Sequence, residues 1–214
     1  MRADAASLVV SSFASVPYDG ILPSVIKIER AGLDYQAYYC EENVWRLLAR
    51  PELQEAATWA VIVSNPVHKV ILLRQLAGRP VDGLIHWDYH VFAAIAHPVM
   101  GRLALDLDSA LPFPCPLARY LADSFPSDVQ RAFAPRFRVM KGGDYLAHLV
   151  SDRSHMRRPD GSYIAPPPPW PAPGAGSGER SVLMEWIDTG NRSPGAVYES
   201  GKMAAFAADN GGGR

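Results

Sequence analysis

Four residues able to do acid–base chemistry stand out in this chain. Asp88, His90, Asp106 and Asp108 lie within GLIHWDYHVFAAIAHPVMGRLALDLDSALPFP, residues 83–114, a stretch that otherwise reads as apolar strands about a turn. Ionisable groups in strands must reach water or satisfy one another, because burying them unpaired is costly. Folding the segment about Pro98 sets His90 opposite Asp106, and folding it about Val99 sets His90 opposite Asp108. Both registers demand an odd-length connection, since a one-residue slip puts the imidazole across from Leu107 on the other face. A His held by a carboxylate has its tautomer fixed and its charged form favoured, the supporting half of a nucleophilic triad. Cys40 is the candidate nucleophile. It precedes EENVWRLLAR at a helix start, where free N–H groups favour a thiolate, while Glu41 and Glu42 oppose it, so that an imidazolium is needed nearby. Cys115, between prolines in PFPCP, reads as structural.

The elements that must position these groups follow from pattern. EENVWRLLAR predicts a helix just after Cys40, stopped by Pro51. TWAVIVS (58–64) and KVILLRQ (69–75) flank NPVH and predict a hairpin, and residues 84–95 with 102–108 predict a second. On strict strand alternation Asp88 and His90 share a face, and Trp87 and Tyr89 turn away to the core. Residues 116–125, 128–133 and 142–150 read as helices and 137–141 as a strand. A loop then runs to Arg180, followed by a helix, a short edge strand and a last helix. The proline-rich run at 165–178 is read as a surface strap rather than an SH3 or WW ligand. Asp152, Arg153, Ser154 and His155 read as loop-fixing polar groups, and His68, His86, His97 and His148 as having no partner visible in the sequence. Residues 1–36 read as a leader draped over one domain at 37–208, with 209–214 a frayed tail.

Bulk composition excludes several classes. The 214 residues are 48% hydrophobic and 20% charged with a net charge of −1, which suits one globular domain and gives no basic footprint for nucleic acid. No apolar run approaches the ~20 residues of a membrane span. Two cysteines without CxxC or HExxH predict neither a disulfide framework nor a dedicated metal site, and no cofactor is expected. The weak apolar patch at the N-terminus, broken by serines, points to a cytoplasmic location, with a secreted effector as the alternative.

YYCEENVW, WDYHV, LDLDSALPFPCP, SDRSHM, PPPPWP and GAVY, in this order between Tyr38 and Tyr198, closely resemble the protein N-terminal glutamine amidohydrolase family, named for its WDYHV motif. The resemblance implies an α+β fold, a three-layer α-β-α sandwich with a mainly antiparallel sheet and the architecture of papain-like and transglutaminase-like cysteine hydrolases. It implies a Cys-His-Asp triad at Cys40, His90 and Asp106, leaving Asp108 a secondary polar residue. The implied reaction converts N-terminal Gln of a peptide or protein to Glu with release of ammonia through a thioester, in a monomer that needs no metal. Glu41 and Asp88 are the candidate partners of the substrate's α-ammonium, with a structural role for each as the alternative. Two features depart from the family: residues 1–36 have no counterpart in it, and Pro194 stands before GAVY where an aromatic residue is expected. From the triad alone, a cysteine protease or acyltransferase is the alternative, and a non-catalytic interaction module a further one.

Overall fold

The computed structural model describes residues 28–209, so most of the expected leader and the glycine tail lie outside the described residues. In chain order the elements are α1 (Cys40–Leu48), β1 (Thr58–Ser64), β2 (Val70–Leu72), β3 (Ile85–Trp87), β4 (His90–His97), β5 (Gly101–Leu105), β6 (Cys115–Pro116), α2 (Leu117–Ser124), β7 (Arg136–Lys141), α3 (Gly142–His148), α4 (Leu183–Ile187), β8 (Ala196–Glu199) and α5 (Ser200–Ala208). Six strands form one antiparallel sheet in the order β6-β5-β4-β1-β7-β8, and β2 and β3 form a separate pair. The fold is therefore α+β with a mainly antiparallel sheet.

Strand β1 explains why the sheet is centred where it is. Ala60 and Ile62 pack on one face with Val44, Leu47, Leu48, Tyr145 and Trp186 from α1, α3 and α4. Val61 and Val63 pack on the other with Leu117, Tyr120 and Met203 from α2 and α5. A strand apolar on both faces is stable only between two helical layers and two neighbouring strands. It consequently pairs with β4 and β7. The expected hairpin of 58–64 with 69–75 does not form. Asn65 is the reason: its Oδ1 accepts from the N–H groups of Val67 and Lys69, and its Nδ2 donates to the carbonyls of Lys69 and Phe133. This side-chain turn, with His68 at φ 47°, steers the chain away from β1. Val70–Leu72 then pairs with Ile85–Trp87.

The second expected hairpin forms between β4 and β5, with the odd connection Pro98–Met100 and the register centred on Val99, Ala93 facing Leu105. Two boundaries differ from expectation. The strand read as 84–95 is broken at Asp88 and Tyr89, and β5 ends at Leu105, so that Asp106–Asp108 form a turn. Strict alternation across 87–90 therefore fails, and Trp87 and Tyr89 do not turn away from His90. Of the helix expected over 128–133 only a single 3₁₀ turn, Arg131–Phe133, exists. The helix expected over 142–150 ends at His148. Cys115 is buried in the core of the second face, as its structural reading requires.

Candidate active site

The site is built on the first turn of α1. Cys40 opens the helix, and the three residues after it are buried polar groups, each held from outside. Glu42 receives Arg153 in a bidentate pair, Nε to Oε1 and Nη2 to Oε2 both at 2.7 Å, and the Trp170 indole N–H at 3.0 Å. Asn43 exchanges two hydrogen bonds with the backbone of Gln36. Glu41 accepts the Tyr89 hydroxyl at Oε2 (3.0 Å), has His155 Nε2 3.4 Å from Oε1, and its carbonyl accepts the Tyr145 hydroxyl. Acidic groups suit a helix N-terminus, and here they also fix the backbone that carries Cys40. The same bonds hold the loop at 152–156, which Arg153 enters in the left-handed region (φ 57°), and the proline strap, whose Pro168 and Trp170 carbonyls accept from Arg153.

Opposite α1, the start of β4 presents His90. Its Nε2 lies 3.1 Å from Asp106 Oδ1, leaving Nδ1 as the ring nitrogen free to serve a thiol. Asp106 is held by three further donors: the Asp108 N–H at 3.0 Å on Oδ1, and the Tyr120 hydroxyl at 2.9 Å and Gln75 Nε2 at 3.3 Å on Oδ2. Gln75 reaches it because the loop at 75–83 closes tightly: a Cβ on Gly78 would stand 2.1 Å from the Gly83 carbonyl oxygen. The Cys40 thiol donates to Glu41 Oε2 at 3.8 Å, and the Val91 N–H, next to His90, acts on the sulfur as a lowering influence.

These contacts set the charges. Burial, then the charges of Glu41 and Asp108, push the Cys40 thiol well up, against the lowering effect of the Val91 N–H. Burial pulls His90 down, but the charge of Asp106, 3.1 Å away, outweighs it and leaves the imidazole above its ordinary 6.5. Burial raises the Asp106 carboxyl, and the opposing His90 charge with its donors brings it below the ordinary value. His90, Asp106 and Asp108 each offer one ligand atom within 4.8 Å of the others, the one such trio among the described residues. Hydrogen bonds from Asp108 N–H, Tyr120 and Gln75 occupy both Asp106 oxygens, and Tyr35 occupies one of the two Asp108 oxygens.

A cleft of about 480 Å³ runs past this constellation. Cys40, His90, Asp88 and Asp108 line it, whereas Glu41 does not: its carboxylate is fully buried behind Tyr89 and His155. Trp87 and Tyr89, expected in the core, line the cleft as well, as do His68, His86 and His155, to which the sequence assigned no such place. The break at Asp88–Tyr89 is what turns them inward. Sequence reasoning also missed Tyr35, Gln75 and Tyr120, because aromatic and amide side chains in a leader, a loop and an amphipathic helix carry no signal of a distant carboxylate.

The model of the N-terminal glutamine amidase family matches residues 35–207. The chain belongs to that family. Among its relatives, proteins named protein N-terminal glutamine amidohydrolase from Drosophila erecta and Drosophila melanogaster are 44% and 43% identical to it, over 179 and 175 residues. These spans cover 78% and 77% of this chain and 85% and 83% of those relatives. The relative of the same name from Drosophila mojavensis is 41% identical over 187 residues, 82% of this chain and 89% of its own. Cys40, His90, Asp106 and the cleft all fall inside the stretch shared with the amidase family, and so does Tyr35, the first residue of the family match.

Proposed function

We propose that residues 37–208 form one catalytic domain, of papain-like architecture, that hydrolyses the side-chain amide of an N-terminal glutamine on a peptide or protein. The observation that carries this reading is the convergence on one cleft of a helix-start thiol and an imidazole braced by a carboxylate, in a chain of this family. His90 accepts the Cys40 proton as the sulfur attacks the glutamine Cδ, and the tetrahedral oxyanion faces backbone N–H groups at the start of α1. Collapse breaks the C–N bond, His90 returns the proton to the leaving nitrogen, and ammonia departs, leaving a γ-thioester on Cys40. Water deprotonated by His90 then attacks the thioester, glutamate is released and the thiol is restored. Asp106 orients the ring and stabilises its charged form. Asp88 draws the substrate's ammonium toward the cleft from its exposed rim, and Glu41 adds a fixed negative charge behind the same wall.

The test is incubation of the protein with a Gln-first peptide, its acetylated form and a peptide with internal Gln, following ammonia and mass. Ammonia and a gain of about 1 Da on the free Gln-first peptide alone are expected, and Cys40→Ala should abolish both, as loss of a nucleophile removes about 10⁴-fold or more of the rate. Cleavage of a backbone bond would instead establish a protease.

A further inference from the structure

An enzyme confined to chain termini needs an anion for the α-ammonium, and glutamine dictates where that anion sits. Four bonds separate its α-nitrogen from the carboxamide carbon, a span of no more than about 5 Å. The acceptor must therefore stand beside the reacting groups. Two acidic residues line the cleft, Asp88 and Asp108. Asp88 is exposed, and an exposed carboxylate attracts a cation weakly through water. Asp108 is 8% exposed and puts an oxygen within 4.8 Å of the ligand atoms of both His90 and Asp106.

Asp108 is also held in advance. The Tyr35 hydroxyl donates to its Oδ1 at 2.6 Å, its N–H donates to Asp106, and its carbonyl accepts from Leu76. It has no Lys or Arg salt-bridge partner among the described residues: the nearby Arg30 guanidinium is spent on the backbone oxygens of Asp106 and Leu111. A buried carboxylate on a cleft wall without a directly bonded cation is costly to keep, and a ligand's cation would add to the partial relief it has from the His90 and Arg30 charges.

Resting on the amidase reading above, we propose that Asp108 is the specificity-determining residue that receives the α-ammonium of the N-terminal glutamine, with Tyr35 as its positioning residue. Asp88 then acts only from the rim. The pairing would also help the chemistry. Asp108 is one of the charges that hold the Cys40 thiol up, and its burial keeps its own carboxyl above the ordinary range, so an ammonium on it relieves both. A terminus without that charge fails to bind and also leaves the nucleophile in its unreactive form.

The test compares kcat/KM for a Gln-first peptide and for the same peptide bearing a glutaramoyl group in place of Gln, which keeps the carboxamide and lacks the α-nitrogen. Wild type should prefer the Gln-first peptide by about 100-fold or more, the usual consequence of leaving one partner of a buried charge pair alone. In Asp108→Asn, which keeps an acceptor for Tyr35, that ratio should fall toward unity while Cys40 still alkylates with iodoacetamide. In Asp88→Asn most of the ratio should remain. An unchanged ratio in Asp108→Asn, its collapse in Asp88→Asn instead, or equal loss of activity on both peptides would overturn the assignment. Should Asp108→Asn not fold, Tyr35→Phe keeps the carboxylate and should lower the ratio severalfold, and no change would overturn it equally. Wild type releasing ammonia from neither peptide would overturn the amidase reading itself, whereas an active wild type with an unmoved ratio overturns the Asp108 assignment alone.

Discussion

At the scale of single residues, the thiol, imidazole and carboxylate form a device whose resting state is proton-rich. Cys40 and His90 both hold their protons more tightly than usual. On the proposed mechanism, the ascending limb of kcat/KM against pH reports the first proton lost by this pair, so its midpoint should lie above 6.5. Asp106→Asn removes the charge that chiefly holds His90 up and the smallest of those that raise Cys40. The limb should therefore move to lower pH while kcat falls by about 10³- to 10⁴-fold through loss of the oriented tautomer. A pH–rate series on the two proteins checks both, and a limb that stays in place would separate Asp106 from the titration. The link between His90 and Asp106 was legible in part. The two registers of the β4–β5 hairpin offered both aspartates, and the structure takes the Val99 register yet still puts Asp106 on the ring, because β5 ends first and its turn carries the carboxylate back.

At the scale of elements, α1 is fixed less by its own apolar stripe than by what grips its first turn. The Arg153–Glu42 pair ties α1 to the 152–156 loop and the proline strap, with Glu42 fully buried and Arg153 nearly so. Arg153→Met strands a buried carboxylate and should cost about 3 kcal/mol of unfolding free energy in urea titrations, while Glu42→Gln with Arg153→Met should recover part of it. Sequence could foresee α1, its start and the strap, because capping position and proline content are local signals. The cluster at 152–155 was foreseen as loop-fixing polar groups, which describes Arg153. His155 lines the cleft instead, since its hydrogen bond to Tyr89 depends on a strand break that alternation could not announce. The helix expected at 128–133 is cut short for a local reason too: Pro135 holds Ala134 out of the helical region, and the chain makes only the Arg131–Phe133 3₁₀ turn before it.

At the scale of the whole molecule, the buried His90–Asp106 pair links stability to pH in two opposite ways. Asp106, depressed in the folded state, contributes stability that is present above the unfolded carboxylate range and lost as pH falls through its folded value. His90, raised, contributes stability present below about 6.5 and lost as pH rises through its own folded value. The stability difference between wild type and Asp106→Asn should thus be greatest in the mildly acidic window between these limits and shrink on either side. Chemical denaturation at a series of pH values measures it directly, and a difference flat across that range would contradict the pairing.

The wiring of β1 carries a lesson for how the protein is made. Its partners lie far along the chain: β4, some thirty residues later, and β7, with Ser64 facing Arg136 and Trp59 facing Lys141. While synthesis is under way, the β7-facing edge of a largely apolar strand stays bare until the last third of the polypeptide begins to leave the ribosome. A chain cut off after Ala134 would keep every group of the thiol–imidazole–carboxylate constellation and still present that naked edge to its neighbours. Such a fragment should sediment as aggregate rather than remain a smaller working enzyme.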